Sequence, residues 1–296
     1  LKDAARLLVY FVATVLLGAL LAPVLFWSAQ SLAAHGVLPV LARFDFESVF
    51  HRALLVSAVA LLWPLLRSVR VRAMRDLELA PNPNRWRDVS AGFLFSAVPL
   101  LCCGAILIVL HIFSVRFALT WNGALKIIGA SIVVPMIEEV FFRGLVLGVL
   151  LRSGRRYMSI FVTSALYSIV HFLKAPEGTS AIVTWTSGFH SIAGSFSELV
   201  LPMYPLFFAA SFTTLFLIGW ILADARIATR SLWLPGGLHA GWILANGLFN
   251  KTAHREIILF PWLGKNLLVG IVPLTVACLT WMLVRGWLRY VGARKS

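Results

Sequence analysis

Charge is what this chain has least of. Of its 296 residues only 13% are Asp, Glu, Lys or Arg, about half the share of a soluble domain, and 60% are hydrophobic. That balance excludes an ordinary water-soluble fold and points to a membrane protein. Negative charge is scarcer still, with 12 acidic residues against 26 basic ones and a net charge of +14. The excess does not indicate a nucleic-acid partner. Its cations fall in short loops beside apolar runs, and no soluble domain is long enough to carry a basic face. Cysteine is nearly absent: Cys102, Cys103 and Cys278 lie inside apolar runs, without CxxC or Cys/His ligand spacing, and read as small packing residues. The strict alternation of a membrane β-barrel is missing, as are an internal repeat and an HExxH pattern.

What is present is a series of apolar stretches of about 18 residues or more, the length that spans a bilayer as a helix. They predict an all-α, polytopic membrane protein of about eight transmembrane helices, near 7–29, 49–68, 89–113, 121–151, 156–174, 203–223, 232–249 and 266–288. The first run is longer than a signal-peptide core and reads as a retained span. Residues 1–120 form N-terminal membrane helices and a basic loop, 121–250 a central core, and 251–296 a last helix with a basic tail. The segment 175–202, rich in Ser, Thr and Gly, is expected along the membrane surface. With both termini cytoplasmic, 17 of the 26 Lys and Arg fall in inside segments and 8 outside, the bias of the positive-inside rule. The remaining one is Arg143.

Arg143 sits in "VVPMIEEVFFRGLVLG", with Glu138 and Glu139 just before it. A charge at mid-bilayer costs roughly 2.5–3.5 kcal/mol, so three within six residues need compensation or a task. Four residues separate Glu139 from Arg143, which makes them neighbours on a helix face and predicts a pair. Glu138 lies about 100° round the helix and is the carboxylate available for chemistry. Pro135 removes a backbone donor and predicts a bend there. Two histidines are also intramembrane: His171 in "LYSIVHF" and His239 in "PGGLHAGWILAN". Either alone reads as a packing histidine, as does His111 near a helix end. With Glu138 they form a carboxylate and two imidazoles on three helices. Such a set suits a water stripped of its proton, or a Glu/His₂ metal site.

Glu-Glu-x-x-x-Arg, then an aromatic-x-x-x-His helix, then a His-bearing helix near the C-terminus, resembles the CAAX-protease and bacteriocin-processing family (CPBP, also Abi) of intramembrane proteases. The likeness spans roughly 120–250. It implies an endopeptidase acting on a membrane-associated protein or peptide, with Glu138 as the base that activates water. Glu139 and Arg143 would support it, His171 would hold the water, and His239 would stabilise the oxyanion. Zinc or another divalent metal on Glu138, His171 and His239 and a metal-free glutamate mechanism are both compatible with these residues. Two positions depart from the family pattern: Tyr167 stands where phenylalanine is usual, and Ile243 where Asn or Asp follows the third-motif histidine. Asn246, seven residues after His239, is the alternative oxyanion donor. A non-catalytic scaffold or immunity protein, and a transporter using the Glu/Arg/His set, are the other readings. The expected setting is the plasma membrane.

Overall fold

The computed structural model describes residues 2–293 except 78, 117, 174–178, 198–203, 258, 260, 265, 266, 268 and 269. It is 80% helical, and the eight expected helices are all present. They are α1 (Lys2–Ala34), α2 (Phe46–Ser68), α3 (Arg85–Val109), a run that begins as α4 (Trp121–Glu138) and ends as α5 (Leu147–Leu151), α6 (Arg156–Val170), α8 (Tyr204–Thr229), α9 (Trp233–Thr252) and α10 (Ile271–Ala293). One further helix, α7 (Ser187–Ser197), lies in the segment expected along the membrane surface, part of which falls outside the described residues. So do Lys174, Lys265, Arg294 and Lys295 of the charge count.

Among the described residues five helices are long and apolar enough to cross a membrane: Lys2–Ala34, Phe46–Ser68, Arg85–Val109, Phe208–Thr229 and Ile271–Val291. The protein is an integral membrane protein. The other three expected spans are helices without meeting that measure. At 1.5 Å per residue the 15 residues of α6 reach about 22 Å, short of a ~30 Å hydrocarbon core. The run 121–151 is broken by the glutamate motif, and α9 carries His239, Asn246, Asn250 and Lys251.

The chain divides into two compact units, Leu1–Ala73 with Ile169–Pro205, and Met74–Ser168 with Leu206–Ser296. In the first, α1 packs on α2 around Ala22, Phe46, Phe50 and Ala53, and α7 lies against α1. Asp45 caps α2 by accepting from the Ser48 amide at 2.7 Å. In the second, α3 and α9 pack along their length, with α4 on α9 and α10 on α3. A short antiparallel pair, β1 (Phe113–Val115) and β2 (Ala253–Arg255), ties the chain before α4 to the chain after α9. No alternating pattern announces three-residue strands.

Three helices end on a left-handed residue that is not glycine: Arg70, His111 and Arg230. His111 is therefore a helix terminator. The amide of Ile112 returns to the Leu107 carbonyl and that of Leu110 to Ile106, closing the last turn of α3.

Candidate active site

From Trp121 to Leu151 the helix changes character twice. Residues 121–138 are mostly exposed, and 142–149 are buried without interruption. Where the one gives way to the other, Glu139–Val146 is wound as a π-helix. Such widened turns are rare overall and frequent at functional sites. A wider turn has a smaller angular step per residue, so the two adjacent glutamates diverge less than the 100° of a regular α-helix. Both then face α9.

α9 is held against α3 by small residues. A Cβ on Gly237 would stand 2.2 Å from the Val89 carbonyl oxygen, and one on Gly241 2.1 Å from Ser96 Oγ and 2.5 Å from the Phe93 oxygen. Gly92 makes the reciprocal approach from α3, 2.5 Å from the Leu234 oxygen. This small-xxx-small packing is how membrane helices draw their backbones together. His239 lies two residues from each of Gly237 and Gly241, about 200° round the helix, and so points away from α3.

There it meets both glutamates. Its Nδ1 is 2.8 Å from Glu139 Oε1, and its Nε2 is 3.9 Å from Glu138 Oε2. Arg143 Nη1 donates to the same Glu139 oxygen at 3.0 Å. Arg143 is 0% exposed and Glu139 2%, whereas the Glu138 side chain is 26% exposed. A carboxylate oxygen that takes a guanidinium N–H acts as an acceptor, so in its contact with His239 the Nδ1 is the donor. Nε2 is left facing Glu138 at a distance too long for a direct hydrogen bond. The guanidinium plane of Arg143 lies over the Tyr167 ring, 4.3 Å from its centroid, and Arg143 Nε and Nη2 have no hydrogen-bond acceptor among the described residues. Tyr167 also meets Phe142 and His239 edge-on, at 5.3 and 6.2 Å between centroids. The aromatic position of the second motif thus roofs the arginine.

Glu138, Glu139, Arg143, Tyr167 and His239 are one cluster within the second unit. His171 follows the last residue of α6 and belongs to the first unit. Asn246 remains apart: α9 is regular α-helix from Trp233 to Thr252, with no irregularity to shorten the seven-residue step, about 10 Å along the axis. The Asn246 Oδ1 atom is buried and without a hydrogen-bond partner among the described residues. Nor, among those residues, is any group of three His, Cys, Asp or Glu side chains disposed to hold a metal ion. The oxygen nearest His239 already accepts from a guanidinium, whose positive charge opposes a dication there.

Charge is also buried outside the motif. α8 continues to Thr229, so Asp224 and Arg226 are inside the helix and buried, not in a solvated loop. Asp224 accepts from Arg285 at 2.7 Å, Trp281 Nε1 at 3.0 Å and Arg156 at 3.4 Å, joining α6, α8 and α10. Arg226 donates to the Leu77 carbonyl, and Arg152 to that of Asp76 at 2.9 Å, pinning the turn Met74–Leu77. The dipeptide spacing Asp224-x-Arg226 at the end of an apolar run was the available signal.

Residues 120–245 match the family model described as Rce1-like, type II CAAX prenyl endopeptidase. No curated protein and no solved structure matches the chain.

Proposed function

On the premise that residues 120–245 are an Rce1-like domain of the CAAX-protease and bacteriocin-processing family, we propose that this protein cleaves a membrane-associated protein or peptide with a water activated by Glu138. The domain supports intramembrane endopeptidase activity in general. The particular roles rest on one observation, the asymmetry of the two glutamates about His239.

Glu139, enclosed and bonded to Arg143 and His239, orients. It fixes the imidazole with Nδ1–H toward itself, as a carboxylate behind a catalytic histidine does. Glu138, the more exposed carboxylate, acts. The 3.9 Å gap between Glu138 Oε2 and His239 Nε2 lets one water donate a hydrogen to each. Its lone pair then faces outward toward a scissile carbonyl. Glu138 takes the proton as the C–O bond forms, and the same proton goes to the leaving nitrogen as the C–N bond breaks. His239 thereby serves the water more directly than the oxyanion. Asn246 is too far along α9 to serve the oxyanion. Among the described residues no three His, Cys, Asp or Glu side chains come together for a metal ion, and no step here uses one. In the same proposal all eight helices span the membrane, both termini are cytoplasmic, and the membrane is the plasma membrane.

The test is cleavage of a membrane-peptide library, mapped by mass spectrometry, by wild type and Glu138→Gln. The amide keeps the size and cannot accept the proton, so turnover should vanish in a protein that stays folded and inserted. General-base removal typically costs about 10²–10⁴ in rate. Near-normal turnover would end the assignment. Cleavage that survives exhaustive chelation is expected, and loss restored by added zinc would reinstate the metal site. Ile243 is the observation favouring a non-catalytic scaffold, and a wild type with no cleaved product would support that reading.

A further inference from the structure

At the end of α2, in the first unit, a cleft of about 400 Å³ is lined by Leu66, Arg67, Arg70, Val71 and Arg72. Three arginines thus line one recess at the end of a helix long and apolar enough to span a membrane. The last carbonyls of α2 are closed by backbone amides, Val69 to Leu65, Arg70 to Arg67 and Val71 to Leu66. Arg70 itself holds a left-handed conformation that disfavours a side chain, with φ at 56°.

The cleft does not stand alone. Leu55, Val59 and Trp63 are all exposed and recur every four residues along α2, and Arg67 is the next in the row. Arg67 is stacked over the Trp63 ring, 4.3 Å from its centroid. An apolar track therefore runs up the outside of the helix, through an interfacial tryptophan, into a basic recess. Tryptophan at the water boundary is the usual anchor there. A recess of this volume holds a polar headgroup but not the chains attached to it. The apolar row beside it is where those chains would lie.

We infer that this recess binds the headgroup of an anionic phospholipid, with its phosphate on Arg67, Arg70 and Arg72 and an acyl chain along Trp63, Val59 and Leu55. The charge distribution puts this end of α2 on the cytoplasmic face, where anionic lipid is enriched. The site is independent of peptide cleavage and stands or falls apart from it.

The experiment uses the full chain reconstituted in nanodiscs of phosphatidylcholine containing a minor fraction of phosphatidylglycerol, released into detergent and weighed by native mass spectrometry. Wild type should retain phosphatidylglycerol over phosphatidylcholine. The triple variant Arg67→Gln, Arg70→Gln, Arg72→Gln should lose that preference by about 10²-fold, roughly five-fold for each arginine near an anionic surface. A control with the same loss of charge at three other exposed positions, Arg75→Gln, Arg85→Gln and Arg155→Gln, should keep it. Equal loss in both triple variants, or none in the first, overturns the site. Competition with soluble glycerol phosphate separates the sources. Retention that survives millimolar competitor belongs to the lipid, and displacement at micromolar concentration, with no lipid retained, makes this a site for a free anion and overturns the proposal. Trp63→Ala should weaken lipid retention without changing any response to glycerol phosphate.

Discussion

Removing Arg143 separates a structural ion pair from a catalytic one. Arg143→Ala deletes the cation 3.0 Å from Glu139 Oε1 and the stacked plane 4.3 Å from the Tyr167 centroid. Both partners are enclosed, so water cannot replace what is lost. Breaking a buried pair by removing one member typically costs about 3–5 kcal/mol, most of it the penalty of the stranded charge. The cation–π contact, about 2 kcal/mol when dry, is part of the same loss and is not added in full. At about 2–4 °C per kcal/mol for chains of this order, the melting temperature in detergent should fall by roughly 10 °C. The double variant Arg143→Ala, Glu139→Gln should recover much of that, because no buried charge is left unpaired. Asp224→Asn makes the comparison. Its partners Arg156 and Arg285 are 45% and 43% exposed and stay hydrated when it goes, so its loss should cost only about 1–2 kcal/mol. The assay is thermal unfolding of the four proteins with cleavage measured beside it. An Arg143→Ala protein with wild-type melting and no cleavage would refute the structural role and put the arginine among the groups that touch substrate. A double variant as unstable as the single would refute the stranded-charge argument.

Asn246→Ala should leave the cleavage rate within about two-fold, since a lost oxyanion donor would cost ~10²–10³. Ile243→Asn, one turn from His239, should raise it; loss of activity in the first variant would put Asn246 in the site after all. Gly237→Ala should slow cleavage and lower stability by about 1–3 kcal/mol, because its Cβ would meet backbone at 2.2 Å and push α9 off α3. Its neighbour Gly236, which has nothing within 4 Å, should accept alanine with no loss, and equal effects of the two would refute the packing argument. His111→Gly should stabilise by about 1 kcal/mol, the cost of a side chain in the left-handed region, read as a raised melting temperature. Reporters after Arg72 and Arg155 should read cytoplasmic and those after Phe189 and Arg255 external; reversal at two of them would end the eight-span topology.

Composition and the length of apolar runs determined the fold class and placed eight helices to within a few residues, because an apolar segment away from water satisfies its backbone within itself as a helix. The spacing of Glu139 and Arg143 was enough to pair them, since four residues on a helix are always neighbours. Tertiary structure decided the rest. Only the packing of α9 on α3 through Gly92, Gly237 and Gly241 turns His239 toward α4, and only the π-helical turns at Glu139–Val146 let both glutamates reach it. Neither depends on periodicity, so neither shows in the order of residues. Arg226 and Asp224 show the same limit: beside an apolar run they have the composition of a solvated loop, and burial came from helices distant in the chain. Local spacing fixes which side chains share a helix face, whereas what that face meets depends on contacts between segments a hundred residues apart, such as Glu139 and His239.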